Sequence, residues 1–174
     1  MRNRLLMILA ATLLGSSAAF AVEVLDSRLD VEFVRDGRSQ FITDSVVPIL
    51  PGNACFNWHI RLDGVEGTAD LLERFTLPEP WEPWVTTPPT DTSVVLEDGK
   101  VAETSMTVYP VAGWVQSGWC IDDGDKPGPY RIEVEIAGVA EPVVFDFTYV
   151  NPEDYSFVDL YVPGEKDRTI NNSW

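Results

Sequence analysis

Residues 130–149 read YRIEVEIAGVAEPVVFDFTY, and this stretch decides the fold class. Apolar and charged side chains alternate from Tyr130 to Ile136, and an alternation of period two returns from Val143 to Tyr149. This period is typical of strands that have one buried face and one solvated face. Because Gly138 lies in the short link between the two runs, they are predicted to form an antiparallel hairpin.

Similar runs occur through most of the chain. Asp98-Gly99 separates Ser93–Leu96 from Val101–Tyr109 and predicts a second hairpin. The other strand candidates are Leu29–Phe33, Phe41–Leu50, Phe56–Leu62, Val111–Ile121 and Phe157–Val162. Residues 68–75 are the one segment predicted as a short helix. Together the runs predict an all-β, immunoglobulin-like β-sandwich of about eight or nine antiparallel strands.

The N-terminal segment, residues 1–21, has the features of an export signal. Arg2 and Arg4 precede an apolar run, and Ala19-Phe20-Ala21 fits the small-x-small pattern of signal peptidase. The mature chain is therefore expected to begin at Val22, with no integral membrane segment after cleavage, in the periplasm or outside the cell. Residues 22–163 are predicted to form a single β-sandwich domain, and residues 164–174 a loose polar C-terminal tail.

The charge balance restricts the possible partners. The chain has 12 lysines and arginines against 28 acidic residues, a net charge of −16. The signal peptide holds two of the arginines and no acid, so the mature charge is −18. Such a field repels nucleic acid, which is excluded as a partner. It favours solubility, adaptation to salt, or a partner with a basic face.

The two cysteines, Cys55 and Cys120, are predicted to form a disulfide, because export places an even pair in an oxidising compartment. The alternative is two buried thiols. Trp58, Trp114 and Trp119 are predicted core residues, and Trp119 adjoins Cys120 in the way indoles pack beside disulfides in immunoglobulin sandwiches.

The sequence contains few groups for catalysis. His59 is the single histidine, which excludes a zinc site built on several imidazoles and leaves His59 as the sole candidate base for a catalytic triad. No Gly-x-Ser-x-Gly motif and no phosphate-binding glycine loop is present. A glycosidase needs only two carboxylates, but the sequence does not identify such a pair among 28 acids. We therefore predict no catalytic residue and no cofactor.

The densest acidic cluster is Asp122-Asp123-Gly124-Asp125. Three carboxylates in a turn can hold Ca²⁺, which takes six to eight oxygen ligands. Asp and Gly are also favoured in turns for backbone reasons, and the spacing differs from that of the calcium-binding loop. Asp122, Asp123 and Asp125 are accordingly predicted to form a turn without metal.

A tandem triplet, Glu79-Pro80-Trp81 followed by Glu82-Pro83-Trp84, is the most distinctive surface feature. Its proline density favours polyproline II. In that helix, residues three apart in sequence lie on the same face, separated by about 9 Å. Trp81 and Trp84, flanked by Glu79 and Glu82, would then form a ridge for a sugar chain or a protein groove. The alternative is that both indoles fold back over the sandwich, with one packed and the other half open.

Two segments carry a family resemblance. Gly128-Pro129-Tyr130-Arg131-Ile132-Glu133-Val134, with Gly138 and Phe145-Asp146-Phe147, resembles the last hairpin of exported bacterial immunoglobulin-like domains. Val47-Pro48-Ile49-Leu50-Pro51-Gly52 leading into Phe56-Asn57-Trp58 is similar to a family catalogued only as a domain of unknown function. The resemblance implies the fold and carries no catalytic residue.

The function favoured by these observations is a non-enzymatic, exported binding or accessory module of the cell envelope, with a protein or glycan partner. The alternatives are a carboxylate-based hydrolase and a structural component of an envelope complex. Fold alone does not decide among them.

Overall fold

The computed structural model describes residues 22–35, 38–86 and 88–154, called the described residues below. The predicted signal peptide, the strand candidate at 157–162 and the predicted tail at 164–174 lie outside them. No helix among the described residues is long and apolar enough to cross a membrane.

The described residues form an all-β sandwich of two sheets. The strands are β1 (Glu23–Arg35), β2 (Arg38–Thr43), β3 (Val46–Pro48), β4 (Ala54–Asp63), β5 (Ala69–Thr76), β6 (Ser93–Leu96), β7 (Val101–Val108), β8 (Trp114–Cys120), β9 (Gly128–Ile136) and β10 (Val143–Val150). The four-stranded sheet has the order β2-β1-β4-β8, and the six-stranded sheet the order β3-β10-β9-β5-β7-β6. One short helix, α1 (Glu82–Thr86), lies between β5 and β6.

Both predicted hairpins are confirmed. β9 pairs antiparallel with β10, and β6 with β7. The second turn contains Glu97, Asp98 and Gly99 with φ of 52°, 54° and 96°, the left-handed region that Asp-Gly favours. The described residues contain ten strands, more than the expected eight or nine, because the Phe41–Leu50 run divides into β2 and β3 and the segment predicted as a helix is strand β5. The pairing is also not wholly antiparallel, since β3 lies parallel to β10.

The helix predicted at residues 68–75 is wrong, because this segment is strand β5. Its buried side chains are Ala69, Leu71, Glu73 and Phe75, the period of two of a strand. A glutamate at one inward position interrupts the apolar pattern and leaves a spacing that imitates a helix.

The core lies between the inner faces of the sheets. Trp58 and Phe56 on β4 are fully buried, as predicted, and the Phe56 ring packs against Phe147 with centroids 4.8 Å apart. The prediction for Trp114 is wrong. Its side chain is half-buried on the outer face of the four-stranded sheet, where the Arg28 guanidinium lies 4.8 Å from the ring centroid.

The disulfide Cys55–Cys120 is present and joins directly opposed residues of β4 and β8. It therefore lies within one sheet, whereas the immunoglobulin disulfide joins two sheets. The next opposed pair, Phe56 and Trp119, faces inward, because successive side chains alternate across a strand. Trp119 and the disulfide thus lie on opposite faces, so the predicted packing of this indole on the disulfide is wrong. The bridge itself is typical of an oxidising, extracytoplasmic location.

Replacing both cysteines, as in Cys55→Ser with Cys120→Ser, is expected to reduce the free energy of unfolding. The bridge spans a sequence separation of 65 residues, and closing such a loop in the unfolded chain accounts for about 4 kcal/mol. Chemical denaturation of the oxidised protein and the double variant measures the difference. Equal midpoints would contradict a stabilising role.

Candidate functional site

A buried carboxylate, that of Glu73, lies at the centre of the sandwich. Glu73 belongs to the six-stranded sheet. Its side chain is only 1% exposed, although a carboxyl group is ionisable. Its Oε1 accepts a hydrogen bond from Trp119 Nε1 at 2.9 Å, and its Oε2 accepts one from Trp58 Nε1. Both indoles belong to the four-stranded sheet. One side chain therefore links the two sheets through two polar contacts.

Burial raises the pKa of the Glu73 carboxyl, because the charged form loses its hydration. The hydrogen bonds from Trp58 and Trp119 act in the opposite direction and stabilise the ionised form. The direction of the net shift shows that desolvation is the larger effect.

A row of hydroxyl groups continues from Glu73 toward the edge of the sheet. Thr104 lies directly opposite Glu73 on β7, and Ser93 lies opposite Thr104 on β6. The Ser93 and Thr104 hydroxyl oxygens are 2.6 Å apart, and Ser93 is also 2.6 Å from the Thr90 hydroxyl. Glu73 lines neither the depression beside the β9–β10 turn nor the one that includes Leu62 and Pro110. This polar row is thus built into the packing.

The tandem triplet does not form the polyproline II ridge, and its indoles adopt the alternative arrangement, with one packed and the other half open. The segment Glu82–Thr86 is the helix α1, so polyproline II is wrong for its second half. The ring centroids of Trp81 and Trp84 are 5.7 Å apart at an angle of 72°, an edge-to-face pair. Trp84 is 5% exposed and packs against Trp119, whereas Trp81 is half-buried. Glu79 and Glu82 are exposed.

The acidic cluster forms the predicted turn. The backbone N–H of Asp122 donates to the Asp125 carboxylate at 2.9 Å, and that of Asp123 donates to the Asp122 carboxylate at 2.8 Å. Burial raises the pKa of Asp125. In the part of the chain that the structure describes, no group of three or more His, Cys, Asp or Glu side chains is placed to hold a metal ion.

The turn and the triplet meet at one end of the sandwich. A Cβ atom at Gly124 would lie 3.6 Å from Trp81 Nε1, so the turn passes directly beside this indole. We call the half-buried indole and the exposed carboxylates near it the Trp81 surface. Its residues are Trp81, Glu79, Glu82, Asp122 and Asp123. The structure thus places the two sequence features that were singled out side by side.

His59 belongs to a polar cluster on the outer face of the four-stranded sheet. Its Nε2 lies 3.3 Å from Asp30 Oδ2, and Arg28 Nε donates to the same oxygen at 2.9 Å. Partial burial lowers the pKa of His59, the neighbouring Arg28 acts in the same direction, and Asp30 opposes both. The residue takes part in a surface ion cluster.

The larger depression lies at the opposite end of the sandwich, beside the β9–β10 turn. It has a volume of about 760 Å³ and includes the carboxylates of Asp70 and Glu135 among its walls. Asp70 accepts a hydrogen bond from the Thr107 hydroxyl at 2.7 Å. Neither acid was singled out in the sequence, because nothing in the local pattern distinguishes them from the other exposed acids.

Comparison with known proteins shows the family to which the chain belongs. The chain matches the PM0630 beta sandwich domain family over residues 29–150, which span β1 to β10. The protein therefore belongs to this family, whose description specifies a fold and no activity. No curated protein and no solved structure is significantly similar to the chain.

Glu73→Ala is expected to destabilise the fold, because both indole N–H groups lose their acceptor inside the core. Each unsatisfied buried donor costs about 1–3 kcal/mol. Glu135→Ala, at an exposed position on the adjacent strand, is the matched control and should stay within about 0.5 kcal/mol. Denaturant unfolding of the three proteins measures the costs. Equal effects of the two substitutions would show that the bridge is not stabilising.

The raised pKa of Glu73 also predicts a pH dependence. The folded protein holds this proton more tightly than the unfolded chain does. The stabilisation is therefore fully present below the unfolded-state pKa and is lost as the pH rises through the folded-state pKa. Glu73→Gln cannot ionise, so its melting temperature should fall less than that of the wild type as the pH rises over this window. Parallel melting curves at every pH would refute the assignment.

Proposed function

We propose that this protein is a non-enzymatic, exported binding or accessory module of the cell envelope. The observation that carries the proposal is the role of Glu73, the one buried charged side chain among the described residues. Both of its carboxylate oxygens accept hydrogen bonds from indoles of the opposite sheet. Glu73 thus has a structural partner at each carboxylate oxygen and lines neither of the two depressions, which favours a scaffold over a catalytic centre.

The disulfide and the predicted signal peptide support a periplasmic or secreted location. The relation to exported immunoglobulin-like domains belongs to the same proposal. The β9–β10 hairpin supports that relation, and the position of the disulfide within one sheet differs from the immunoglobulin pattern.

The Trp81 surface is the proposed contact for the protein or glycan partner. A half-buried indole offers a rigid apolar face with a polar N–H, the combination enriched at binding surfaces. The exposed carboxylates around it can bind hydroxyl or cationic groups of the partner and repel anionic ones. Trp84 is buried and packs edge-to-face against Trp81, so it holds the Trp81 ring in place without offering exposed surface of its own.

Capture from an envelope extract tests this function. The mature wild type should retain a stoichiometric partner, and Trp81→Ala should weaken that binding by about 2 kcal/mol, the scale of a tryptophan anchor. Trp114→Ala is the matched control, because Trp114 is also a half-buried indole but lies on the outer sheet face. Melting curves establish that all three baits are folded. If both variants retain the partner equally well, the binding surface does not include Trp81.

The alternative function is a carboxylate-based hydrolase, and one observation favours it. Asp70 and Glu135 lie on neighbouring strands and line the same depression of about 760 Å³. Glycosidases need two carboxylates on either side of a sugar bond. Turnover of a polysaccharide panel that is lost in both Asp70→Asn and Glu135→Gln, and kept in Trp81→Ala, would establish this alternative and overturn the proposed function.

A further inference from the structure

Strand β8 is an edge strand of the four-stranded sheet as the structure describes it. Within the described residues its one neighbour is β4. Beyond the two ends of β8, the Leu62 N–H donates to the Gly113 carbonyl and the Ile121 N–H donates to the Ala54 carbonyl. Because hydrogen-bonded and non-bonded pairs alternate along antiparallel strands, these two bonds fix which residues of β8 bond to β4. Odd-numbered residues of β8 consequently bond to β4, and the backbone groups of even-numbered residues point away from it.

Three of these outward-pointing positions have no backbone partner among the described residues. The N–H and carbonyl of Trp114 bond to Val111 in a tight turn. Gln116, Gly118 and Cys120 are exposed, and no hydrogen bond joins their backbone groups to another described residue. The edge therefore offers three donors and three acceptors in regular spacing.

The edge also lacks the devices that usually prevent strand pairing, which are charge, proline, bulges and short length. β8 reads WVQSGWC over seven residues, with no charged residue and no proline. The other three edge strands differ. β2 begins with Arg38, β3 has three residues and ends at Pro48, and β6 has four residues.

The free groups of β8 are self-complementary about Gly118. In an antiparallel pairing of two copies with Gly118 opposite Gly118, Gln116 of each copy lies opposite Cys120 of the other. Each such pair of residues exchanges two backbone hydrogen bonds. The arrangement uses every free group and has the two-fold symmetry typical of homodimers.

The charges at the two ends of β8 match in this register. The Trp114 end carries Arg61, which lies opposite Trp114 on β4, and Arg28, whose guanidinium covers the indole and also bonds to Asp30. The other end leads into Asp122 and Asp123. Two-fold pairing places Asp122 of one copy opposite Trp114 of the second, beside the second copy's arginines. Opposite charges therefore meet at both ends of the paired strands.

We propose that β8 pairs with β8 of a second copy of this chain, forming a homodimer with a continuous eight-stranded sheet. The occupant is a second copy because the free groups, the central glycine and the terminal charges are complementary to themselves. This proposal does not rest on the function proposed above. The two surfaces share Asp122, but the pairing is made by backbone groups of β8, to which Trp81, Glu79 and Glu82 contribute nothing.

Amide hydrogen exchange and sedimentation of the mature protein test the pairing directly. The expected result is a dimer whose Gln116, Gly118 and Cys120 amides become protected as the protein concentration rises. A monomer at all concentrations would overturn the proposal. Protection of these amides in a species of monomer mass would overturn it too, because another strand would then cover the edge.

Gln116→Pro removes one donor at the free edge without removing a β4–β8 bond. It should shift the protein toward monomer. Gln116→Val is the matched control, because it loses the same side chain and its contact with His59 but keeps the N–H. It should remain dimeric. A dimer that persists in a folded Gln116→Pro variant would contradict the proposal, and the exchange experiment on the wild type decides it if that variant does not fold.

Discussion

The hydrogen bonds of Glu73 to two indoles are the constraint on which the arrangement of the core depends. A carboxylate in an apolar core is costly unless each oxygen has a donor, and here the donors come from strands of the opposite sheet. The bridge therefore fixes the position of β5 relative to β4 and β8. The Phe75, Trp84 and Trp119 rings pack beside it, with centroid distances from 5.1 to 6.0 Å.

The parts of the fold that depend on local pattern could be predicted from the sequence. The β9–β10 hairpin follows from period two, and the turn at Asp98-Gly99 from its backbone preference. β5 could not be predicted in the same way, because Glu73 occupies an inward position that the pattern assigns to an apolar residue. Its two partners are 15 and 46 residues away in the chain, so no local signal reveals that the charge is satisfied.

In the Trp81 surface, too, local features could be predicted from the sequence, whereas contacts between distant segments could not. Proline spacing predicts polyproline II near Trp81, but burial of Trp84 against the core favours a short helix instead. The acidic turn is predicted from residue type, whereas its contact with Trp81 arises only because β5 pairs with β9 and brings the two loops to one end of the sandwich. Trp114 faces outward because side chains alternate along β8, and the inward residues of that strand are Val115 and Trp119.

The indole N–H signals of Trp58 and Trp119 test the central claim most directly. In a ¹H–¹⁵N NMR titration of the wild type, both signals are expected to be protected from solvent exchange. Both are also expected to shift with one common midpoint, which lies above the usual pKa of a glutamate. Indole N–H groups that exchange as fast as those of exposed tryptophans, or that do not respond to pH, would contradict a Glu73 carboxylate held between the two sheets.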